Sequence, residues 1–325
     1  MAITADTLVP TSEGWVKASD LVESDIVFNH LGQPTKIKTI QHFTSEECYE
    51  VSFDDGLVVQ GDKNLTLPSQ DIIWRDHFSA YRNRKTSRKR QEFSRPLVQL
   101  KPDDTMPLMR GTKKIYSVPN CMPVQYSYKD LPVPPYIFGI WFATRTELGR
   151  HWLRDRPLDK MQRIFRGYGH TIKTRKHKNG LTLFDIRPSI RDSFLFAGAA
   201  IPTSIPFSYI DCSVEQRIEF FQGLLDGGFI KKYKGSNLYV AKNANFSLMR
   251  KIQALVESLG VKTTLHTPNN SPNYTQKFRM NGDFSEIYGT HRRFITKITK
   301  IAPKQCIHLV TDTTFLVGEG YISVC

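Results

Sequence analysis

Two hydrophobic patterns alternate along this chain. From Thr7 to Gln60 the apolar residues come in short runs broken by turns, with no helical period. Thr7–Val9, Val16–Val22 and Asp25–Asn29 read as strands, with turns at Gly14-Trp15 and Leu31-Gly32-Gln33. Thr35–His42 alternates like one strand, and Tyr49–Phe53 and Leu57–Gln60 flank the Asp54-Asp55-Gly56 turn of a hairpin. The pattern changes at Leu131. Pro134-Pro135 opens an apolar helix over Tyr136–Phe142, and Leu158–Gly167 reads as a second helix. His170–Ile186 alternates around Lys178-Asn179-Gly180, a good hairpin turn. A helix over Val214–Leu225 with Ser213 as N-cap follows, then a hairpin over Phe229–Val240 around Lys234-Gly235-Ser236. Asn245–Leu259 is a helix stopped by Gly260, Val261–Met280 is a further strand pair, and Phe294–Cys325 returns to β. The middle of the chain thus repeats helix and hairpin twice. The expected class is α+β, a discontinuous all-β domain (1–130 and 293–325) interrupted by a two-repeat α/β domain (131–292).

The chain has 325 residues, ample for two cores. Hydrophobic residues at 40% exclude a wholly disordered chain, and no apolar run reaches the length of a membrane helix. The start, MAITADTLVPTSEGW, lacks the layout of a secretory signal, and the five cysteines are scattered without a CxxC. The expectation is an intracellular protein, of a host cytoplasm or phage-encoded within one, with neither a disulfide framework nor a zinc site. The nine histidines show no HxH or HxxxH spacing. Net charge changes the picture most. It is +14, and residues 131–290 hold 23 Lys/Arg against 12 Asp/Glu, so the interrupting module carries +11 of it. Charge concentrated this way points to a polyanion.

Four sequence blocks resemble one family. Ala2-Ile3-Thr4-Ala5-Asp6-Thr7-Leu8-Val9 with Gly14-Trp15-Val16 is similar to the N-terminal splicing block of inteins. Phe315-Leu316-Val317-Gly318-Glu319-Gly320-Tyr321-Ile322, within Cys306–Cys325, is similar to the C-terminal blocks. Asp130–Tyr136 leading into Phe138-Gly139-Ile140-Trp141, and Ser213–Arg217 leading into Gly223-Leu224-Leu225-Asp226, resemble the two LAGLIDADG helices of an intein-borne homing endonuclease. The resemblance spans nearly the whole chain. It implies a horseshoe-shaped Hint fold interrupted by a DNA-reading domain whose twisted sheets lie in the major groove.

The chemistry the resemblance implies is missing residue by residue. Splicing begins on a Cys or Ser, and that place matches Ala2, whose methyl cannot carry out an acyl shift. The Thr-x-x-His that polarises the scissile amide matches Gly61-Asp62-Lys63-Asn64, so Asn64 stands in the histidine's place. The His-Asn pair expected at the end matches nothing in Ser323-Val324-Cys325. Each LAGLIDADG helix should end in Asp-Gly, the Asp helping to hold a divalent metal such as Mg²⁺ at the scissile phosphate. The first pair corresponds to Thr144-Arg145. In the second, Asp226-Gly227-Gly228 is one residue short, so either the metal-binding Asp is deleted and Gly228 replaces it, or Asp226 slips into its place. No cofactor is implied, with Mg²⁺ required only where nuclease activity survives.

What the resemblance leaves is recognition of double-stranded DNA by a monomer. The expected contacts are Lys173, Arg175, Lys176 and Lys178 on one hairpin, Lys231, Lys232, Lys234 and Lys242 on another, Lys277 and Arg279 on a third, and Arg145. Arg88, Lys89 and Arg90, in a basic run within 71–130, read either as a phosphate-contacting arm or as a solvated linker. Three other readings stay open: an endonuclease that still cuts with Asp226 and a carboxylate such as Glu147, an inactive scaffold for a protein partner, and an engineered inactive intein.

Overall fold

A computed structural model describes residues 2–70, 98–103, 105–144, 152–153, 158–176, 182–187, 189–196, 204–267, 272–280, 292–318 and 320–324. The fold is α+β, in two compact units. The first contains Met1–Gln125, Gly260–Lys262 and Ile287–Cys325, and the second Tyr126–Leu259 and Thr263–Glu286.

The first unit is built on a seven-stranded antiparallel sheet in the order Ser117–Pro119, Arg292–Ile301, Cys48–Phe53, Val58–Asp62, Ala2–Thr4, Lys304–Val310, Thr39–Ser45. Head and tail of the chain are therefore neighbours: Ile3 lies opposite Gly61 on one side and Ile307 on the other. The same unit holds a smaller sheet (Gly14–Lys17, Leu8–Thr11, Ile26–Phe28, Pro34–Lys36), the Phe315–Val317/Ile322–Val324 hairpin and the strand pairs Leu67–Ser69/Val98–Leu100 and Met109–Arg110/Lys113–Lys114. Ile3, Val9, Val27, Val51, Val59, Ile307, Phe315 and Val324 join these strands in one apolar core. The hairpin expected over Tyr49–Phe53 and Leu57–Gln60 forms, its strands running Cys48–Phe53 and Val58–Asp62 with Val51 opposite Val59. Its turn acids hold the structure together: Asp55 Oδ2 accepts from the fully buried Arg293 at 2.6 Å, and Asp54 Oδ1 accepts from the Phe294 amide.

Two expected strands are cut short. The alternation over Thr35–His42 is split, because the Ile37 amide donates to Asp25 O in the small sheet while the next amide, Lys38, donates to Val310 O in the large one. The chain changes sheets at a buried isoleucine, and period-2 alternation is blind to that. The strand from Val16 stops at Lys17 and a 3₁₀ turn follows over Ala18–Asp20, where the Ala18 and Ser19 amides reach back to Thr7 O and Ala5 O.

Among its described residues the second unit carries five helices, α1 (Pro135–Thr144), α2 (Leu158–Gly167), α3 (Ile190–Phe196), α4 (Val214–Gly227) and α5 (Phe246–Ser258), with two sheets. One sheet pairs Trp152–Leu153, Thr182–Arg187 and Thr171–Lys176, and the other Ile230–Lys232, Leu238–Asn243, Tyr274–Arg279 and Thr263–His266. Every turn of α1 is buried, which explains its apolar composition on all sides. It packs on α4 at glycines: a Cβ on Gly139 would lie 2.5 Å from Phe220 O, and one on Gly223 would fall onto Tyr136 O. Phe138 fixes the crossing by stacking on Tyr209 (centroids 4.1 Å apart) and Phe220 (5.5 Å). Trp141 and Phe221 are core residues.

Both α4 and α5 start where their sequences predict. Ser213 and Gln216 form a capping box, and Asn245 Oδ1 accepts from the Leu248 amide. Gly260, just past α5, takes the left-handed conformation (φ +81°). Arg217 on α4 was not singled out by sequence, yet it is wholly buried. Its guanidinium donates to Cys212 O, Ser258 O and Ser258 Oγ, so it also satisfies carbonyls at the end of α5. Helix α3 is too short to show a helical period in the sequence, though Ile190 and Phe194 anchor it in the core. Among the described residues no helix is long and apolar enough to cross a membrane.

Candidate functional site

Strand register decides which basic residues share a surface. In the four-stranded sheet, α5 packs against Leu238–Asn243, Thr263–His266 and Tyr274–Arg279. The face turned that way carries buried Tyr239, Ala241, Gln276 and Phe278. Pleat alternation puts the remaining positions on the opposite, open face. There Lys231 lies opposite Val240 and Val240 opposite Lys277; Leu238 lies opposite Arg279, and Lys242 opposite Thr275. Thr264 and His266 extend the same rows. Lys231, Lys242, Lys277 and Arg279 are all exposed, so four predicted residues form one basic face. Lys232 does not belong to it. It pairs with Tyr239 and its ammonium sits 5.5 Å from that ring on the helix-covered side. Lys234 is exposed in the hairpin turn, beside the face rather than on it.

The three-stranded sheet follows the same logic. Ile172 and Ile186 are opposite each other and buried. The other face shows exposed Thr171, Lys173, Arg175, Asp185 and Arg187. Arg187 is a basic residue that the sequence pattern does not single out, because it stands alone on the returning strand and outside the basic run before the turn. It pairs with Asp185 at 2.8 Å, an acid that dilutes this face. Lys176 pairs through its backbone with Thr182, but its side chain lies outside the described residues, as do Lys178, Arg145, Arg88, Lys89, Arg90 and Cys325.

At the C-terminal end of the α1–α4 pair the structure places the expected metal positions. Counted from the apposed glycines, Thr144 is five residues past Gly139 and Gly228 five past Gly223; Asp226 falls two residues earlier, about 200° around the helix. Helix α4 runs unbroken to Gly227, and Gly228 is its left-handed C-cap (φ 90°). Thr144 turns inward, its Oγ1 donating to Ile140 O at 2.6 Å. Asp226 is buried and engaged on both oxygens. Oδ2 accepts from Tyr136 Oη (2.8 Å) and Lys160 Nζ (2.9 Å), and Oδ1 from Gln222 Nε2 (3.0 Å). Burial, then the Asp226 charge, hold the Tyr136 phenol protonated and therefore a donor. A carboxylate has about four lone-pair sites, so three donors leave Asp226 little capacity for a cation. Among the described residues no cluster of three His, Cys, Asp or Glu side chains is arranged to hold a metal.

In the first unit, Ala2 is buried in its strand opposite His308. A Cβ on Gly61 would lie 2.5 Å from Ala2 O, so the backbone leaves no room there for a side chain. Asn64 is folded onto its own turn, its amide nitrogens bonding Asp62 Oδ1 (3.0 Å) and Oδ2 (2.9 Å). Burial lowers the affinity of His308 and of His30 for a proton; His30 Nδ1 lies 2.7 Å from Thr314 Oγ1. Both groups bind a proton more readily when unfolded. Stability from this source is complete above about pH 6.5 and falls as pH drops below it, toward the lowered folded values. Urea midpoints should therefore fall between pH 7.5 and 5.5, with a smaller drop in a His30→Asn variant.

No protein-family model matches this chain. A replicative DNA helicase DnaB from Mycobacterium intracellulare is 24% identical over 234 residues, 69% of this chain. The match spans 37% of that helicase's length. Among solved structures, the crystallised MchDnaB-1 intein is 29% identical over 21% of this chain and 53% of its own, with a TM-score of 0.20. Mesophilic variants of the homing endonuclease I-DmoI are 15% identical over 46% of this chain and 89% of theirs, with a TM-score of 0.33. Both kinds of protein that the sequence blocks resemble, an intein and a homing endonuclease, are thus among those to which this chain is similar.

Proposed function

We propose that this chain is an intein-derived protein that binds double-stranded DNA through the open faces of the second unit's two sheets, without cutting it. The observation that carries this reading is register: Lys231, Lys242, Lys277 and Arg279 on one face and Lys173, Arg175 and Arg187 on the other are exposed, while Tyr239, Ala241, Gln276 and Phe278 on the reverse of the first sheet and Ile172 and Ile186 on the reverse of the second are buried. Long basic side chains on a twisted two-stranded or larger ribbon suit phosphates and guanine edges in the major groove. Both faces come from one chain, so a monomer suffices for a long, asymmetric site.

The absence of cleavage is argued from the helix ends. Thr144 and Gly228 supply no carboxylate, and Asp226 is already satisfied by Lys160, Tyr136 and Gln222. Among the described residues, no three His, Cys, Asp or Glu side chains are grouped to hold a metal ion. The splicing block is read likewise, since Gly61 and Asn64 offer neither the hydroxyl nor the imidazole that would polarise an amide.

Salt titration tests the DNA reading. Seven cations, one of them shared with Asp185, predict that log affinity for duplex DNA falls linearly with log salt at a slope of about −5 to −6. Fluorescence anisotropy of a labelled duplex between 50 and 300 mM salt would measure it. A slope near zero, or no binding, would remove DNA as the partner and leave a protein partner as the reading to pursue.

A further inference from the structure

The first unit holds two thiols that neither DNA binding nor splicing uses. Cys48 Sγ and Cys306 Sγ lie 3.8 Å apart, both wholly buried, though 258 residues separate them in sequence. They are brought together by the way the sheet turns. Cys306 is in the Lys304–Val310 strand, opposite Phe43. The chain runs two residues past Phe43 to Ser45, turns at Glu46 and Glu47, and re-enters the sheet at Cys48, whose Sγ contacts Ser45 O at 3.5 Å. Ala2, Cys48 and Cys306 form one small buried cluster, with Ile301 packed against it. The other two described cysteines, Cys121 and Cys212, are also buried, and neither is in a disulfide.

We propose that Cys48 and Cys306 form a reversible dithiol–disulfide site, oxidised by low-molecular-weight disulfides such as oxidised glutathione. The sulfurs need to close by less than about 2 Å to reach bonding distance. The reaction balances in two steps. The Cys48 thiolate attacks one sulfur of the oxidant, forming a mixed disulfide and releasing one glutathione thiolate. The Cys306 sulfur then attacks Cys48 Sγ, its proton passing to solvent, and expels the second glutathione. Two protein thiols lose two electrons together, and one glutathione disulfide becomes two thiols.

The surroundings set the rate. Burial and the neighbouring Cys48 thiol push the Cys306 thiol up to about 12, so little thiolate exists in the closed structure. Access runs through the Ser45–Cys48 turn, where Glu46 is exposed. Oxidation should therefore be slow in buffer and faster in urea below the unfolding transition, where the turn opens locally. Once formed, the bond joins a strand from the head of the chain to one from its tail and closes a loop across the whole second unit.

Thiol counting on the full chain tests this. After oxidised glutathione in sub-denaturing urea, then unfolding and alkylation, the wild type should take up three labels instead of the five of the reduced chain. Cys48 and Cys306 should appear in one cross-linked peptide, and dithiothreitol should restore all five labels. Cys48→Ala and Cys306→Ala should each take up four labels with or without oxidant, apart from any glutathione adduct on the remaining thiol. Cys121→Ala and Cys212→Ala should each still lose two labels on oxidation. Five labels in the oxidised wild type, a persistent glutathione adduct on either sulfur, or a cross-link through another cysteine would overturn the proposal.

Discussion

Gly223→Leu should unfold the second unit while leaving the first intact. The Cβ alone would land on the Tyr136 carbonyl oxygen, with the Gly139 Cα 3.0 Å and the Ile140 nitrogen 3.1 Å away. All three are backbone atoms of α1, so no rotamer change relieves the clash and the two helices must separate. Separation strips contacts from Phe138, Phe220 and Tyr209, the aromatic stack at the crossing. Overpacking of ordinary cores costs about 1–3 kcal/mol, and a backbone clash at the central crossing should exceed about 3 kcal/mol. Hydrogen-exchange mass spectrometry would localise the effect, with protection lost from α1 and α4 and kept in the strands around Ile3 and Val51. Gly167→Ala is the control. Nothing lies within 4 Å of a Cβ there, so it should be neutral or raise stability by up to about 1 kcal/mol.

The second large effect is on affinity. Changing Lys231, Lys242, Lys277 and Arg279 together to Gln should reduce the salt slope by up to about 4 and weaken duplex binding about 10²–10³-fold near 0.15 M salt, because each lost phosphate contact forfeits the release of about 0.9 counterion. These side chains are exposed and none of them carries the core, so the variant should keep its thermal unfolding midpoint. Lys232→Gln is the internal comparison. Lys232 adjoins Lys231 in sequence but lies on the Tyr239 side of the sheet, and its loss should leave the slope nearly unchanged. Equal effects from Lys231 and Lys232 would mean that diffuse charge, and not a face, binds the DNA.

That pair of lysines also shows what was legible in the sequence. Basic runs located the hairpins, and alternation located the strands, but which side of a pleat stays open depends on where α5 lies, a tertiary fact. Arg187 was overlooked for the same reason: it acquires its place beside Lys173 and Arg175 only through pairing across the hairpin. Local signals with local physics were read well, such as the Ser213 cap, the Gly260 stop and the Asp54-Asp55-Gly56 turn. Non-local partners were not. Asp226 invited a catalytic reading because the residues around it resemble a motif, yet its environment is set by Tyr136, 90 residues earlier, and Lys160, 66 residues earlier. Nor does spacing reveal that Cys48 and Cys306 meet, since the hairpin turn and the head-to-tail sheet both have to form first.

Recognition of duplex DNA without cleavage is open to direct test. The most direct measurement is selection from a randomised duplex library in Mg²⁺ at about 0.15 M salt, where exposed charges are well screened, with sequencing of bound and cut pools. Enrichment of one long motif with intact ends is the predicted result. Staggered ends at a defined position would contradict the assignment of Thr144, Gly228 and the engaged Asp226 to a site that cannot hold a metal, and an unenriched pool would contradict DNA recognition itself.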